Sequence, residues 1–210
     1  MDTSRDAVTT NRTLPRGLLV FCGALAVAAG VGVVVTGNLE FVFYLAVLLI
    51  LAGLVYWAHR HVGFSAAALW LLAAWAALHM AGGLVTVPAS WPTEGDSRVL
   101  YSWWLIPGWL KYDHVVHAFG FGVSTLVCYE GLLSTAGAGA GERVGRSLIL
   151  FAALSALGLG ALNEVVEFVA TLLVPETNVG GYVNTGWDLV ANLTGVTAVS
   201  LGLWLRSRTR

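Results

Sequence analysis

The sequence predicts an all-α fold, a polytopic bundle of six transmembrane helices, and three observations predict it. Charged residues make up only 11% of the 210-residue chain and hydrophobic residues 57%, whereas a soluble domain carries about 25% charged residues. The mean hydropathy is accordingly high, +0.77. Six apolar stretches are of the ~20-residue length that a spanning helix needs. Lysine and arginine then alternate between the loops in the manner of a multi-pass membrane protein.

The spans are expected at about 17–37, 40–59, 64–87, 113–135, 147–174 and 186–205. The first resembles a signal peptide, with "AVA" at Ala26–Ala28 standing where a cleavage site would be. Its apolar run nevertheless continues through "VGVVV" to Val35, past the end of a cleavable segment, which indicates a retained helix. "LVFC" lacks the small residue that precedes a lipidated cysteine. Glu40 opens the second span after "GN", where a carboxylate suits a helix N-terminus. Cys22 and Cys128 lie in apolar runs and read as buried thiols rather than a disulfide or metal pair.

Orientation follows from charge. With a cytoplasmic N-terminus the inside segments hold Arg5, Arg12, Arg16, Arg60, Arg143, Arg146, Arg206, Arg208 and Arg210, and the outside segments hold only Arg98 and Lys111. This distribution places a multi-pass protein in the cell (inner) membrane with both termini cytoplasmic. Residues 1–16 read as a disordered cytoplasmic tail, 17–205 as the transmembrane domain and 206–210 as a basic cytoplasmic tail. "TAGAGAGERVGR" at 135–146 reads as a linker. The outside loop 88–111 carries Trp91, Tyr101, Trp103, Trp104 and Trp109; it reads as an interfacial aromatic belt or, alternatively, as a lid. The formal net charge of −1 argues against a basic nucleic-acid binder, leaving membrane lipid as the expected partner.

Polar residues are costly in hydrocarbon, so their positions carry the functional information. "KYDHVVHAFGFG" puts Asp113, His114 and His117 in the first two turns of the fourth span. "NEVVEF" puts Asn163, Glu164 and Glu167 near the outer end of the fifth, and "GWDLVANLTG" puts Asp188 and Asn192 in the outer half of the sixth. His79 stands near the outer end of the third. At 100° per residue Asp113, His117, Gly120 and Ser124 share a stripe, as do Gly160, Asn163 and Glu167, and Asp188, Asn192 and Gly195. Glycines on these stripes would let the helices approach until the polar groups meet. His59 and His61 read as boundary residues, and Glu130 as the partner of a cytoplasmic arginine.

The motifs "LHMAGG…VP", "YDHVVHAFGFG", "NEVVEF" and "GWDLVANLTG" together resemble the uncharacterised inner-membrane family typified by YjdF, over about residues 40–205. The resemblance implies that His79, Asp113, His117, Glu164, Glu167 and Asp188 are that family's polar set, and it implies no activity. A fainter likeness is to VanZ-like proteins, associated with glycopeptide resistance. They pair Asp-Lys-x-x-His with a later Glu and Asp-x-x-x-Asn-x-x-Gly. Here His114 stands in place of the lysine, and the Pro-x-Arg of that family is absent from "VPETNVGGYVNT".

Three functions fit these residues. The first is an intramembrane metal site acting on a lipid or lipid-linked substrate. A divalent Zn, Mn or Fe ion would be held by His79, His117, Glu167 and Asp188, with Glu164 or Asp113 as general base or supporting partner. His114, Asn163 and Asn192 would complete the polar site. The second is a proton- or ion-coupled transporter or channel, in which the same groups form a relay. The third is a non-catalytic accessory protein whose polar groups interlock the helices. Ser124 lacks a surrounding Gly-x-Ser-x-Gly, and no phosphate-cradling loop occurs.

Overall fold

The computed structural model of the chain describes residues 12–137, 142–175 and 177–208. Most of the expected N-terminal tail, the centre of the 135–146 linker and the last two residues lie outside them. Six helices form an all-α bundle: α1 Arg16–Thr36, α2 Leu39–Val62, α3 Ala66–Leu84, α4 Tyr112–Ala136, α5 Glu142–Leu173 and α6 Tyr182–Arg208. Each contains a segment long and apolar enough to cross a membrane.

Local chemistry ends and starts these helices. Gly37 stops α1 in the left-handed region at φ 63°, a conformation that a residue without Cβ adopts at no steric cost. Asn38 then accepts the Phe41 N–H at 3.2 Å and caps α2. Ser65 caps α3 through the Ala68 N–H. Glu130 of α4 accepts from both the N–H and the hydroxyl of Ser65, at 2.8 and 2.6 Å, so its carboxylate serves the α3 N-terminus.

Some boundaries depart from the hydropathy reading. Helix α3 stops at Leu84 rather than 87 because the β-branched run after it is drawn into extended pairing. Val87 N–H bonds to Arg98 O at 2.9 Å, and Leu100 N–H bonds to Val85 O at 3.0 Å. Helix α5 begins at Glu142, inside the stretch that composition marked as linker. Helix α6 begins at Tyr182, a full turn early. The 85–111 segment is ordered: a 3-10 turn at Leu100–Ser102 precedes an antiparallel hairpin of β1 Trp104–Ile106 and β2 Leu110–Lys111.

The outer faces of the helices are apolar. Val20, Val34, Phe168 and Leu172 are among many large exposed aliphatic or aromatic side chains, Val34 at 81%. Such a surface suits lipid rather than water. Cys22 also lies on it, exposed rather than buried, and both cysteines are free thiols. The buried interior holds Phe41, Met80, Val116 and Val196 together with Asp188, Asn192, His114, His117 and Glu40. Glu40 binds Asn178 through both its N–H and side-chain amide at 2.9 Å, tying the α5–α6 connection to the start of α2. His59, expected at a boundary, is buried against Phe64.

Candidate functional site

The site forms where α4, α5 and α6 meet near the hairpin end. His117 stands five residues from the start of α4, Glu167 six from the end of α5 and Asp188 six from the start of α6. At 1.5 Å per residue all three lie about 8–9 Å into their helices, with Glu164 about 14 Å in.

Small residues make that meeting possible. A Cβ on Gly195 of α6 would lie 1.8 Å from the Ala118 carbonyl oxygen of α4, so the two backbones touch there. A Cβ on Gly120 would enter the Trp75 ring, and one on Gly160 would lie 2.9 Å from the Asn192 side-chain nitrogen. These are the glycines that share stripes with the polar residues.

His117 is the centre. Its Nδ1 lies 3.1 Å from Asn192 Oδ1 and 3.7 Å from Glu164 Oε1. Its Nε2 lies 3.6 Å from Asp113 Oδ1 and 3.7 Å from Glu167 Oε1. Two groups of potential ligands therefore share His117: Asp113–His117–Asp188 and His117–Glu164–Glu167, each with its atoms within 4.8 Å of one another. The 3.6–3.7 Å separations are too long for hydrogen bonds. They approach the ~3.4 Å edge between two ligands each about 2.1 Å from a tetrahedral ion.

Surrounding amides hold the carboxylates in place. Asn163 donates to Glu167 Oε1 at 2.8 Å, and Asn184 donates to Asp188 Oδ2 at 2.5 Å. Lys111 is nearly buried at the helix mouth. Its ammonium bonds Glu94 at 2.7 Å and the Asn184 side-chain oxygen, and lies 3.9 Å from Asp113. Glu164 has the Asn163 amide and the Thr185 hydroxyl as neighbours, whereas Oδ1 of Asp188 and Nδ2 of Asn192 are buried without a hydrogen-bond partner among the described residues. Buried polar atoms are nearly always paired, so Asp188 Oδ1, a carboxylate oxygen of one ligand group, is open to a further partner.

Of the residues that the sequence singled out, the fold gathers Asp113, His117, Glu164, Glu167, Asp188, Asn163 and Asn192. His79 lies beside the cluster and outside both ligand groups. Its Nδ1 bonds the Tyr101 hydroxyl at 2.6 Å, and its ring packs edge-on against Tyr44. His114 turns away: Nδ1 accepts the Lys111 N–H at 3.3 Å, and the ring faces Trp104 and Trp187. Ser124 bonds the Gly120 carbonyl one turn back, a hydroxyl satisfied within its own helix.

Lys111, Asn184 and Tyr101 are the contributors that sequence reasoning passed over. Lys111 had a local signal, a cation directly before the Asp113 turn. Tyr101 had none, being one aromatic among several in the loop. Burial and the negative charges of Asp113 and Glu167 raise the Tyr101 phenol well above its ordinary range, so it stays a neutral hydroxyl in its bond to His79 Nδ1.

Residues 15–209 match the family described as predicted membrane protein, DUF2238. No curated protein and no solved structure matches the chain.

Proposed function

The chain belongs to the predicted membrane protein family DUF2238, and on that premise we propose that it is an intramembrane metalloprotein whose His117 cluster binds a divalent cation and acts on a lipid or lipid-linked substrate. The observation that carries this reading is the convergence of the cluster on one imidazole. Four carboxylates surround one imidazole, with Lys111 as the neighbouring fixed cation, and Oδ1 of Asp188 lacks a hydrogen-bond partner among the described residues. Unbalanced carboxylates are costly in a low-dielectric interior, and a divalent ion would balance them.

One imidazole among carboxylate oxygens suits Mn or Fe better than Zn. With Nδ1 donating to Asn192, Nε2 of His117 would be the nitrogen ligand, and oxygens would come from Asp113 and Glu167, which face it, with Asp188 beside Asp113. Such an ion would activate water and polarise the bond to be broken; Glu164, on the Nδ1 side of the ring and outside that set, would take the proton. The positive-inside pattern opens this site toward the outside face of the cell membrane, below the aromatic hairpin. The motif order fits a YjdF-type member of the family.

A purely structural interlock accounts less well for the cluster, because side chains kept for helix register should satisfy one another. A proton-coupled transporter is the second reading, favoured by the line Lys111–Asn184–Asp188 running in from the helix mouth.

Elemental analysis of detergent-purified protein tests the proposal. About one Mn, Fe or Zn per chain is expected, lost in a folded His117→Ala/Glu167→Ala variant. No metal in protein purified without chelator sinks the metal reading, and pH-driven flux in reconstituted vesicles would then favour the transporter.

A further inference from the structure

Beside the cluster lies a cavity of about 720 Å3 between α1, α2, α3 and α5. Along α2 it extends from Tyr44 to Arg60, about 24 Å at 1.5 Å per residue. Tyr44, His79 and Asn163 form one end, and the wall between the ends is aliphatic, including Leu48, Val55, Leu72 and Ala76. Leu19, Cys22, Leu51 and Tyr56 line it and are also exposed on the outer surface. The cavity therefore opens sideways between α1 and α2, onto the apolar face that suits lipid. Its polar end is one hydrogen bond from the cluster, because Asn163 donates to Glu167 at 2.8 Å.

We propose that this cavity holds one hydrocarbon chain of a membrane lipid, entering between α1 and α2, with the polar end of that chain presented at Tyr44, His79 and Asn163. The far end of the cavity meets Arg12 and Arg60 at the charged helix boundary, while its lateral opening faces hydrocarbon. A lipid chain is already there, and it finds inside the cavity the same aliphatic surroundings that it leaves. Transfer of the chain is thus close to neutral, since lipid tails are as apolar as leucine. Retention then rests on the polar groups at the inner end: the Tyr44 hydroxyl, the His79 imidazole and the Asn163 amide. The inference deepens the lipid-substrate reading and rests on it for the consequence of binding. The occupancy itself follows from the cavity, whether or not a metal is bound.

The test uses the full chain in vesicles containing a phosphatidylethanolamine with a diazirine at the tip of one acyl chain. After illumination, adducts are mapped by peptide mass spectrometry. Leu69 and Ala73 line the cavity and are 4% and 6% exposed, out of reach of surrounding bilayer lipid, whereas Leu150 on α5 is 61% exposed. Wild type is expected to carry adducts at Leu69 or Ala73 as well as at Leu150. Filling the cavity by Ala76→Phe should cut the inner adducts at least fivefold and leave Leu150 labelling unchanged. If Ala76→Phe does not fold, Leu51→Trp at the mouth serves as the second variant and should have the same effect. Labelling at Leu150 without labelling at Leu69 or Ala73 overturns the proposal, as does inner labelling that neither substitution reduces. Metal content read on the same wild-type samples separates the two ideas. Metal present without inner adducts removes the chain-binding inference alone; inner adducts without metal support it and remove the metal reading alone.

Discussion

His117 Nδ1 faces Asn192 Oδ1 at 3.1 Å, across the crossing of α4 and α6. An amide oxygen accepts and does not donate, so this contact places the imidazole proton on Nδ1 and leaves the Nε2 lone pair directed between Asp113 and Glu167. A partner of this kind fixes the tautomer and ring orientation of a metal-binding histidine, and its loss typically costs about 10–100-fold in affinity. Asn192→Leu should therefore weaken metal binding by that factor while the protein still folds. Titration of metal into stripped protein measures it, and an unchanged affinity would show that Asn192 does not orient the ligand.

The α4–α6 crossing depends on Gly195. A side chain there meets the Ala118 carbonyl oxygen at 1.8 Å from its Cβ, and a backbone atom has nowhere to go. Gly195→Val should destabilise the protein by about 1–3 kcal/mol, the usual cost of overpacking, and should open the cluster. Gly202, on the same helix, has nothing within 4 Å of its Cβ position. Gly202→Ala should be neutral or slightly stabilising because alanine is the better helix former. Thermal melting in one detergent compares the pair; equal shifts would refute the close-packing account.

Tyr101 reaches from the hairpin segment to His79 and packs over Gly82. Tyr101→Phe keeps the ring and removes the hydrogen bond, leaving the His79 Nδ1 unpaired at a cost of about 1–3 kcal/mol. The phenol is held above its ordinary range of about 10. The folded state therefore keeps a proton that the unfolded chain loses first. The contribution of this group is full below about pH 10 and declines as pH rises further. Denaturation of wild type and Tyr101→Phe at pH 8 and pH 10.5 should show the difference shrinking at the higher pH; a difference that grew there would contradict the assignment.

Glu40 tethers the connection around Asn178 to the bundle through two bonds from that residue. Glu40→Ala leaves that connection without its buried anchor. Limited proteolysis in detergent should cut it at least fivefold faster in the variant while the helices stay protected. Unchanged cleavage would mean that the connection is held by other contacts.

Much of the fold was legible in the chain because spanning segments must be long and apolar, and because glycine and serine or asparagine mark their ends. Gly37–Asn38 and Gly63–Ser65 are such marks, and α1 to α3 begin within about two residues of where they were read. The legible part of the site has the same origin. A histidine or carboxylate in hydrocarbon is expensive enough that its helical stripe identifies the inward face, as it does for His117, Asn192 and Glu167. Where the cost vanished the reading weakened. A loop residue such as Tyr101 is unremarkable in sequence, and the linker composition before Gly145 concealed the first turn of α5.

The sequence by itself determined the class, the six apolar helices and the residues that face inward, since each follows from local period and from the price of desolvation. Only the tertiary structure decided which inward groups meet. It set His117 between two carboxylate pairs, bound His79 to a tyrosine of the 3-10 turn, and turned His114 toward Trp104 and Trp187. Helical period gives each residue an angle about its own axis; the rotation of one helix against another is set by contacts such as Gly195 on Ala118, which no single segment encodes.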